Sequence, residues 1–294
     1  IRKFLKKTDK PGVIVIEGHV QGLANTRALG RAGVPVVVVD KDNCIARYSK
    51  YCKGFYKCPP FRSDDFAGFL ISLAEKEGLM GWSLLPSNDH AVYTISKHRA
   101  RLSDVFRVIT PGLEIIDNIY NKHNLLSIAQ SIGIPIPRTW YPVSIKEMKP
   151  VEMVFPAMIK GREGLTFYKA AGKKVFLASD PEELVRVIEQ LPQTITLEDV
   201  FIQELIPTDE RNKTISCTAF CIDGELKTHW TGIKLREHPP KYGTSTFSQS
   251  IVNEKVVELS KKLLQRLNYT GVAEVEYLLD LRTGEYKLIE INAR

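Results

Sequence analysis

The chain of 294 residues is 44% hydrophobic and 26% charged, an ordinary globular composition that excludes a disordered tail, a collagen-like repeat and a heptad array. Its longest apolar runs, 12–16 and 33–39, are far shorter than the ~20 residues that a membrane-crossing helix needs. The length predicts roughly two domains. Residues 1–10 are basic and a strand-like segment follows them, so we expect a soluble chain without a signal peptide.

Positive charge exceeds negative charge by a moderate margin. The 41 Lys and Arg residues against 34 Asp and Glu residues give a net charge of +7, spread along the chain. Nucleic-acid binders concentrate positive charge more strongly and interleave it with aromatic residues. We therefore expect no nucleic-acid partner. Two interpretations of the charge stay open, a hydrated basic surface and a site for an anionic small molecule such as a nucleotide phosphate.

The five cysteines favour a reducing, cytoplasmic setting. Their odd number, their wide spacing and the lack of a CxxC pair argue against a disulfide framework and against a zinc cluster. Cys217 and Cys221 fall within a predicted apolar strand, where we expect them to act as small buried hydrophobes.

The first third of the chain predicts a doubly wound parallel sheet. Apolar runs at 12–16 and 34–40 are typical of buried parallel strands, and the segment 22–33 between them has helical spacing. The turn at 18–22 lacks the GxGxxG spacing, which favours a structural role over a phosphate site. The remaining predicted elements are a helix over 63–77, a strand ending at 84–86 and a helix through 96–102. We expect this domain to close near Tyr120.

From about residue 121 the pattern changes to helices mixed with antiparallel strands. The predicted helices are 121–130, 181–190 and a long segment capped by Asn253. The predicted strands are 153–160, 174–178, 201–206, 215–222, 226–231 and a final hairpin of 272–280 and 285–292. The predicted fold class is therefore α/β followed by α+β.

The strongest chemical signal is the C-terminal hairpin. Glu276 lies on its first strand, and alternation with period two predicts one shared face for four residues of the second strand, Leu288, Glu290, Asn292 and Arg294. Two carboxylates and an amide oxygen are hard ligands of the kind that Mg²⁺ prefers, and a cation would relieve the repulsion between the carboxylates. An edge hairpin whose polar face is merely hydrated explains the same pattern equally well.

Two weaker signals precede the hairpin. Lys160 ends an apolar strand and leads into the segment 161–174, whose glycines and lysines can fold over phosphates. Gln203 and Glu204 lie near the end of a strand that runs into Pro207, where they can contact an adenine. Each pattern is common by itself, as a lysine leaving the core or as an ordinary strand end.

In their order along the chain, these features resemble the ATP-grasp superfamily, specifically its carboxylate–amine ligase group, which is similar to D-aspartate ligase and to the carbamoyl-phosphate synthetase large subunit. The resemblance covers nearly all of the chain, including the motifs at 22–30 and 85–89. It implies an N-terminal doubly wound pre-ATP-grasp domain over 1–120. An ATP-grasp fold of two α+β subdomains follows, a small lid subdomain with a linker helix over 121–205 and a C-terminal subdomain over 206–294 that we expect to be truncated.

The resemblance also implies a nucleotide site. Lys122 and Lys160 match the two nucleotide-binding lysines, and Lys160 leads into a flexible segment expected to close over the phosphates. The hinge that grips adenine corresponds to Gln203, Glu204, Leu205 and Ile206. Glu210 corresponds to a ribose ligand.

The metal and the reacting groups are implied in the same way. The Mg²⁺ ligands, for which Mn²⁺ is an alternative ion, correspond to Glu276, Glu290 and Asn292. Arg294 matches the arginine that steadies an acyl phosphate, and Arg236 lies in a stretch resembling the surroundings of an acceptor pocket. Lys160, Arg236 and Arg294 are thus the expected catalytic residues.

The activity that this resemblance implies is ATP- and Mg²⁺-dependent ligation of a small-molecule carboxylate to an amine, through an acyl phosphate. Two alternatives stay open, a regulatory nucleotide-binding protein without ligase activity and an enzyme similar to carbamoyl-phosphate synthetase. A homodimer is compatible with the resemblance. A single sequence does not decode the acid and the amine, because acceptor pockets are built from variable loops.

Overall fold

A computed structural model describes residues 11–145, 152–162, 164–209, 213–238 and 243–294. Three sheets organise these residues, one parallel and two antiparallel. The predicted fold class, α/β followed by α+β, is confirmed. No helix among the described residues is long and apolar enough to cross a membrane.

The N-terminal sheet is parallel and doubly wound. Its strands follow the order β3-β2-β1-β4-β5 and are β1 (Val13–Ile16), β2 (Val36–Asp40), β3 (Cys52–Lys57), β4 (Ser83–Pro86) and β5 (Arg107–Val108). The flanking helices are α1 (Val20–Arg31), α2 (Asp65–Glu77), α3 (Asp89–Lys97), α4 (Arg99–Ser103) and α5 (Leu113–Tyr120). Successive side chains of the β1 run face opposite layers, since Ile14 packs with α2 while Val15 packs towards α1. Both faces are therefore covered, as a parallel sheet requires.

The second sheet is small and antiparallel. Its strands follow the order β6-β9-β7-β8 and are β6 (Thr139–Trp140), β7 (Ala157–Gly161), β8 (Val175–Ala178) and β9 (Val200–Glu204). Two helices accompany them, α7 (Gly164–Ala171) and α8 (Pro181–Glu189). The helix α8 begins where its sequence predicts, because the Asp180 carboxylate accepts a hydrogen bond from the Glu183 backbone at 2.8 Å and Pro181 occupies the first turn.

The segment 161–174 contains the helix α7 rather than a continuous loop, and its closure over the phosphates stays a prediction. Phe167 of α7 is buried against β7, in the hydrophobic core of the second sheet. Gly161 allows this packing, because a side-chain carbon at that position would overlap the Cβ of Phe167. The glycines and lysines of this segment predicted a loop, although Phe167 anchors a helix there.

The third sheet is antiparallel and carries the C-terminal hairpin. Its strands follow the order β12-β11-β10-β13-β14 and are β10 (Ile215–Ile222), β11 (Glu225–His238), β12 (Thr244–Ser250), β13 (Gly271–Asp280) and β14 (Glu285–Ala293). One face packs on α9 (Glu254–Arg266) and on α6 (Lys122–Ser131), in a core that includes Leu125, Leu264 and Tyr277. The strand β12 escaped prediction because all seven of its residues are exposed and it has no apolar pattern.

The two antiparallel sheets face each other across the segment that precedes β6. The backbone N–H of Leu288 in β14 donates to the Pro135 carbonyl at 2.9 Å, and the Glu204 N–H at the end of β9 donates to the Arg138 carbonyl at 2.9 Å. The face of the third sheet opposite α9 therefore points towards the end of β9. The domain boundaries near residues 120 and 205 stay predictions.

Candidate functional site

Two opposed carboxylates lie at the centre of the candidate site. β13 pairs with β14 so that Glu276 lies directly opposite Glu290, and Ser216 of β10 flanks Glu276 on the other side. Like charges directly opposite each other on a sheet are destabilising. The hairpin thus holds a repulsive pair, which favours a role in binding a cation.

A β-bulge changes which face of the sheet the side chains of β14 occupy. Glu276 pairs with Glu290, but the next pair along the hairpin joins Tyr277 to Leu288, so Ile289 is an extra residue. The bulge turns Leu288 into the hydrophobic core of the third sheet. The prediction that Leu288 shares the face of Glu290 is therefore wrong, because the extra residue shifts the alternation by one.

The lysine at the start of α6 reaches the carboxylate pair. Lys122 is the first residue of this helix, which the Asn121 side chain caps. Its ammonium donates to the Glu290 carboxylate at 2.8 Å, and both side chains are partly exposed, at 22% and 37%. An ammonium beside a carboxylate at the edge of an open face can bind a phosphate oxygen without losing its partner.

The second predicted lysine lies on the opposing sheet. Lys160 at the end of β7 donates to the Gln203 side-chain oxygen of β9 at 3.1 Å, and Gln203 donates in turn to the Thr139 hydroxyl at 3.1 Å. Burial and the charge of Lys122 lower the pKa of Lys160 to about 8, against the opposite effect of Glu290. The structure therefore brings Lys122, Lys160 and Glu290 into one electrostatic cluster.

The two carboxylates of the pair titrate differently. Burial and the neighbouring Glu290 raise the pKa of Glu276, although Lys234 partly offsets this effect. Lys122 holds the pKa of Glu290 well below its usual range against the effect of burial, with help from Lys160. Glu290 is thus the ionised member of the pair. A further cation beside Glu276 would lower the pKa of that carboxyl and favour its ionised form.

The donor set fits a magnesium ion. The Asn292 side-chain amide donates a hydrogen bond to Glu290, so a group that also carries an amide oxygen lies next to the carboxylate pair. Across the described ranges no group of three or more His, Cys, Asp or Glu side chains is placed to hold a metal. The pair Glu276 and Glu290, with Asn292, therefore supplies only part of an oxygen shell, as is usual for Mg²⁺, which completes its shell with phosphate oxygens and water.

The predicted adenine hinge contains a carboxylate that is already engaged. One oxygen of Glu204 accepts from the Arg138 backbone at 2.9 Å and from Lys287 at 2.7 Å, and the other accepts from Arg282 at 2.8 Å. Of the four hinge residues, Gln203, Glu204 and Ile206 are buried and Leu205 is partly exposed. The Glu204 carboxylate therefore takes part in ion pairs, and the contact of the hinge residues with an adenine stays a prediction.

Arg294 and Arg236 have other partners than the carboxylate pair among the described residues. The Arg294 guanidinium donates to the Asp89 carboxylate of α3 at 2.8 Å, which joins the end of β14 to the parallel-sheet unit. Arg236 is exposed on β11, 6.0 Å from the centre of the Phe247 ring on β12, and no contact joins it to the carboxylates among the described residues. Glu210 lies outside the described residues.

The partners of Glu204 have no distinctive sequence pattern. Lys287 precedes an apolar stretch, Asp280 precedes a turn and Arg282 lies within it, so all three have ordinary positions for surface residues. The structure buries Lys287 and Asp280 instead. Strict alternation offered no signal for Lys287, because the bulge at Ile289 lies between it and Glu290.

Comparisons with known proteins agree with this architecture. The family model "Carbamoyl-phosphate synthase L chain, ATP binding domain" matches residues 243–294. D-aspartate ligase of Enterococcus faecium (strain Aus0004) is 24% identical over 223 residues, which are 72% of this chain and 52% of that protein. The chain thus matches about half the length of that relative.

Solved structures agree over almost the full chain. An L-amino acid ligase from Bacillus licheniformis superposes with a TM-score of 0.71 and 15% identity, covering 98% of this chain and 68% of that one. The biotin carboxylase domain of Hydrogenobacter thermophilus 2-oxoglutarate carboxylase, in complex with MgADP, superposes with a TM-score of 0.68 and 17% identity, covering 96% and 64%. The ATP-grasp resemblance is confirmed.

Proposed function

Because this chain has the ATP-grasp fold, we propose that it is an ATP- and Mg²⁺-dependent carboxylate–amine ligase. The observation that carries the proposal is the convergence of Glu276 and Glu290, opposed across one hairpin, with Lys122 and Lys160 from two other elements. A hydrated edge hairpin would not require two lysines, one of them largely desolvated, to face its carboxylates.

Each residue of this cluster has a role towards the nucleotide. Lys122 and Lys160 would spread positive charge over the ATP phosphates. Glu276, Glu290 and Asn292 would hold Mg²⁺, or Mn²⁺ with the same oxygen ligands, and the bound ion would neutralise the phosphate oxygens. The backbone at Leu205 and Ile206 would contact the adenine, and Glu210 the ribose.

The proposed reaction has two steps. A carboxylate oxygen of the first substrate attacks the γ-phosphorus, the new oxygen–phosphorus bond forms, and the bond to ADP breaks. The amine of the second substrate then attacks the carbonyl carbon of this acyl phosphate, forms the C–N bond and expels phosphate. Arg294, oriented by Asp89, would stabilise the developing anion by charge-assisted hydrogen bonds.

The substrate classes are proposed as amino acids. Two similar proteins are named for amino acid ligation, D-aspartate ligase and the L-amino acid ligase. The positive net charge agrees with an anionic acid substrate, and Arg236 on the exposed β11–β12 ribbon is a candidate contact for the acceptor.

An ADP-release assay with a panel of amino acids and amines tests the proposal. A ligase releases ADP only when both an acid and an amine are present, and the product mass equals their sum less one water. A regulatory nucleotide-binding protein would bind MgATP with no substrate-dependent release. An enzyme similar to carbamoyl-phosphate synthetase would need bicarbonate in place of the organic acid.

A further inference from the structure

Four charged side chains join the hinge to the C-terminal hairpin. We call Glu204, Asp280, Arg282 and Lys287 the hinge network. The Lys287 ammonium lies 2.7 Å from Glu204 and 2.9 Å from Asp280, and the Arg282 guanidinium lies 2.8 Å from Glu204 and 2.7 Å from Asp280. Each cation thus bridges the same two carboxylates, one at the end of β9 and one at the end of β13.

Most of this network is withdrawn from water. The side chains of Asp280, Glu204 and Lys287 are 0%, 2% and 8% exposed, and only Arg282 is substantially exposed, at 42%. Burial alone would raise the pKa of Glu204, but the hydrogen bonds from Lys287, Arg138 and Arg282 together lower it. Buried ion pairs of this kind add little net stability, but loss of one partner leaves an uncompensated buried charge, so each charge requires its partner in place.

The network and the proposed metal site share one strand. The bulge at Ile289 puts Lys287 on the same face of β14 as Glu290, whereas strict alternation would turn the two apart. Their partners on β13, Leu278 and Glu276, are two residues apart, so at ~3.3 Å per residue the two positions lie roughly 7 Å apart along the strand. One end of this segment is tied to Glu204 of the hinge and the other to Lys122 of the phosphate cluster.

We propose that Lys287, supported by Arg282, is a positioning residue that fixes the hinge backbone at a set distance from the phosphate-binding cluster. This distance would match the separation between the base and the phosphates of ATP. The inference rests on the proposed function, and it extends that function to residues that touch neither the nucleotide nor the metal. Loss of Lys287 would let the end of β9 shift relative to β14, and the base and the phosphates would no longer fit their sites together.

A purely architectural role would have a different signature. If the network only held the two sheets together, its loss would lower the affinity equally for ligands that bridge the sheets and for ligands bound at the proposed metal site alone. If it sets the distance between the hinge and the phosphate-binding cluster, its loss would lower the affinity only for ligands that span both.

The test measures by calorimetry the affinity of two ligands for the unsubstituted protein and for the Lys287→Met variant. We expect the affinity for MgATP to fall at least tenfold, and the affinity for Mg²⁺-tripolyphosphate, which lacks the base, to change less than twofold. Lys287→Arg should restore MgATP affinity to within about threefold, because it keeps the charge on the bridge. Lys227→Met is the matched control, since it removes the exposed 2.6 Å ion pair with Glu225 on β11 and leaves the site untouched.

Unchanged MgATP affinity in Lys287→Met, or an equal loss for both ligands, would overturn the inference. If Lys287→Met does not fold, Arg282→Met gives the same comparison at a more exposed position, with the same expected order of effects. Failure of the proposed function is distinguishable, because it appears in the unsubstituted protein as a lack of substrate-dependent ADP release, whereas failure of the inference appears only in the MgATP affinities of the variants.

Discussion

The Lys122 ammonium lies 2.8 Å from the Glu290 carboxylate, although 168 positions separate the two residues along the chain. This contact joins the first turn of α6 to the last strand of the third sheet, and it favours the ionised form of Glu290. Lys122 is the largest cause of the lowered pKa of Glu290. The charge state of this carboxylate therefore depends on a residue far away in sequence.

Glu290→Gln should abolish ATP turnover and leave the fold intact. The amide keeps the size of the side chain, but it removes the negative charge that pairs with Lys122 and that Mg²⁺ would need. We expect at least a hundredfold loss of ADP release with an unchanged circular dichroism spectrum. Glu285→Gln is the matched control, since it is exposed on the same strand. Turnover at the unsubstituted rate with normal Mg²⁺ dependence would contradict the assignment.

Lys122→Met should separate nucleotide binding from stability. The ion pair is partly exposed, so its removal should cost about 1 kcal/mol or less of the free energy of unfolding. The variant also loses a charge that would face the phosphates in the proposed site, and we expect the KM for ATP to rise at least tenfold. Urea unfolding and initial rates measure the two quantities. A loss of stability of several kcal/mol with an unchanged KM would count against a role in phosphate binding.

The affinity for MgATP should fall as the pH rises above about 8. Burial and Lys122 lower the pKa of Lys160 to about 8, so the free protein loses this ammonium in that range, and binding must then recover a proton. The expected slope approaches about tenfold per pH unit. Stability itself should rise between pH 8 and 10.5, since the unfolded chain binds this proton more tightly there.

Lys160→Arg checks that assignment, because arginine stays protonated throughout. Its MgATP affinity should be nearly constant between about pH 7.5 and pH 9.5, the range in which Lys160 of the unsubstituted protein, with its pKa of about 8, loses its proton. Equal slopes in both proteins would exclude Lys160 as the titrating group.

Gly161→Ala should destabilise the second sheet. The added carbon would overlap Phe167, whose packing anchors α7 on β7, and overpacking of this kind costs about 1–3 kcal/mol. Gly164→Ala is the control, because nothing lies within 4 Å of the added carbon and alanine favours a helix. Urea unfolding should therefore show a lower free energy of unfolding for Gly161→Ala and an unchanged or higher one for Gly164→Ala. Equal shifts would mean that α7 does not pack as the structure shows.

Local pattern was sufficient for most of the secondary structure. The β-branched runs of β1 and β2 and the capped start of α8 predicted their elements, because each signal lies within one segment. Elements without an apolar pattern were not predicted, and β12, whose seven residues are all exposed, is an example. The helix α7 was not predicted either, because its surrounding glycines indicated a loop.

The candidate site divides in the same way. The residue types of the proposed metal site are readable from the sequence, since two glutamates and an asparagine on a terminal hairpin carry their chemistry in any register. The folded structure was needed to show which face each residue occupies, because one extra residue at Ile289 shifts the alternation of β14. It alone joined Glu204 to Lys287, since contacts between distant segments depend on how the sheets pack, and no local periodicity encodes that packing.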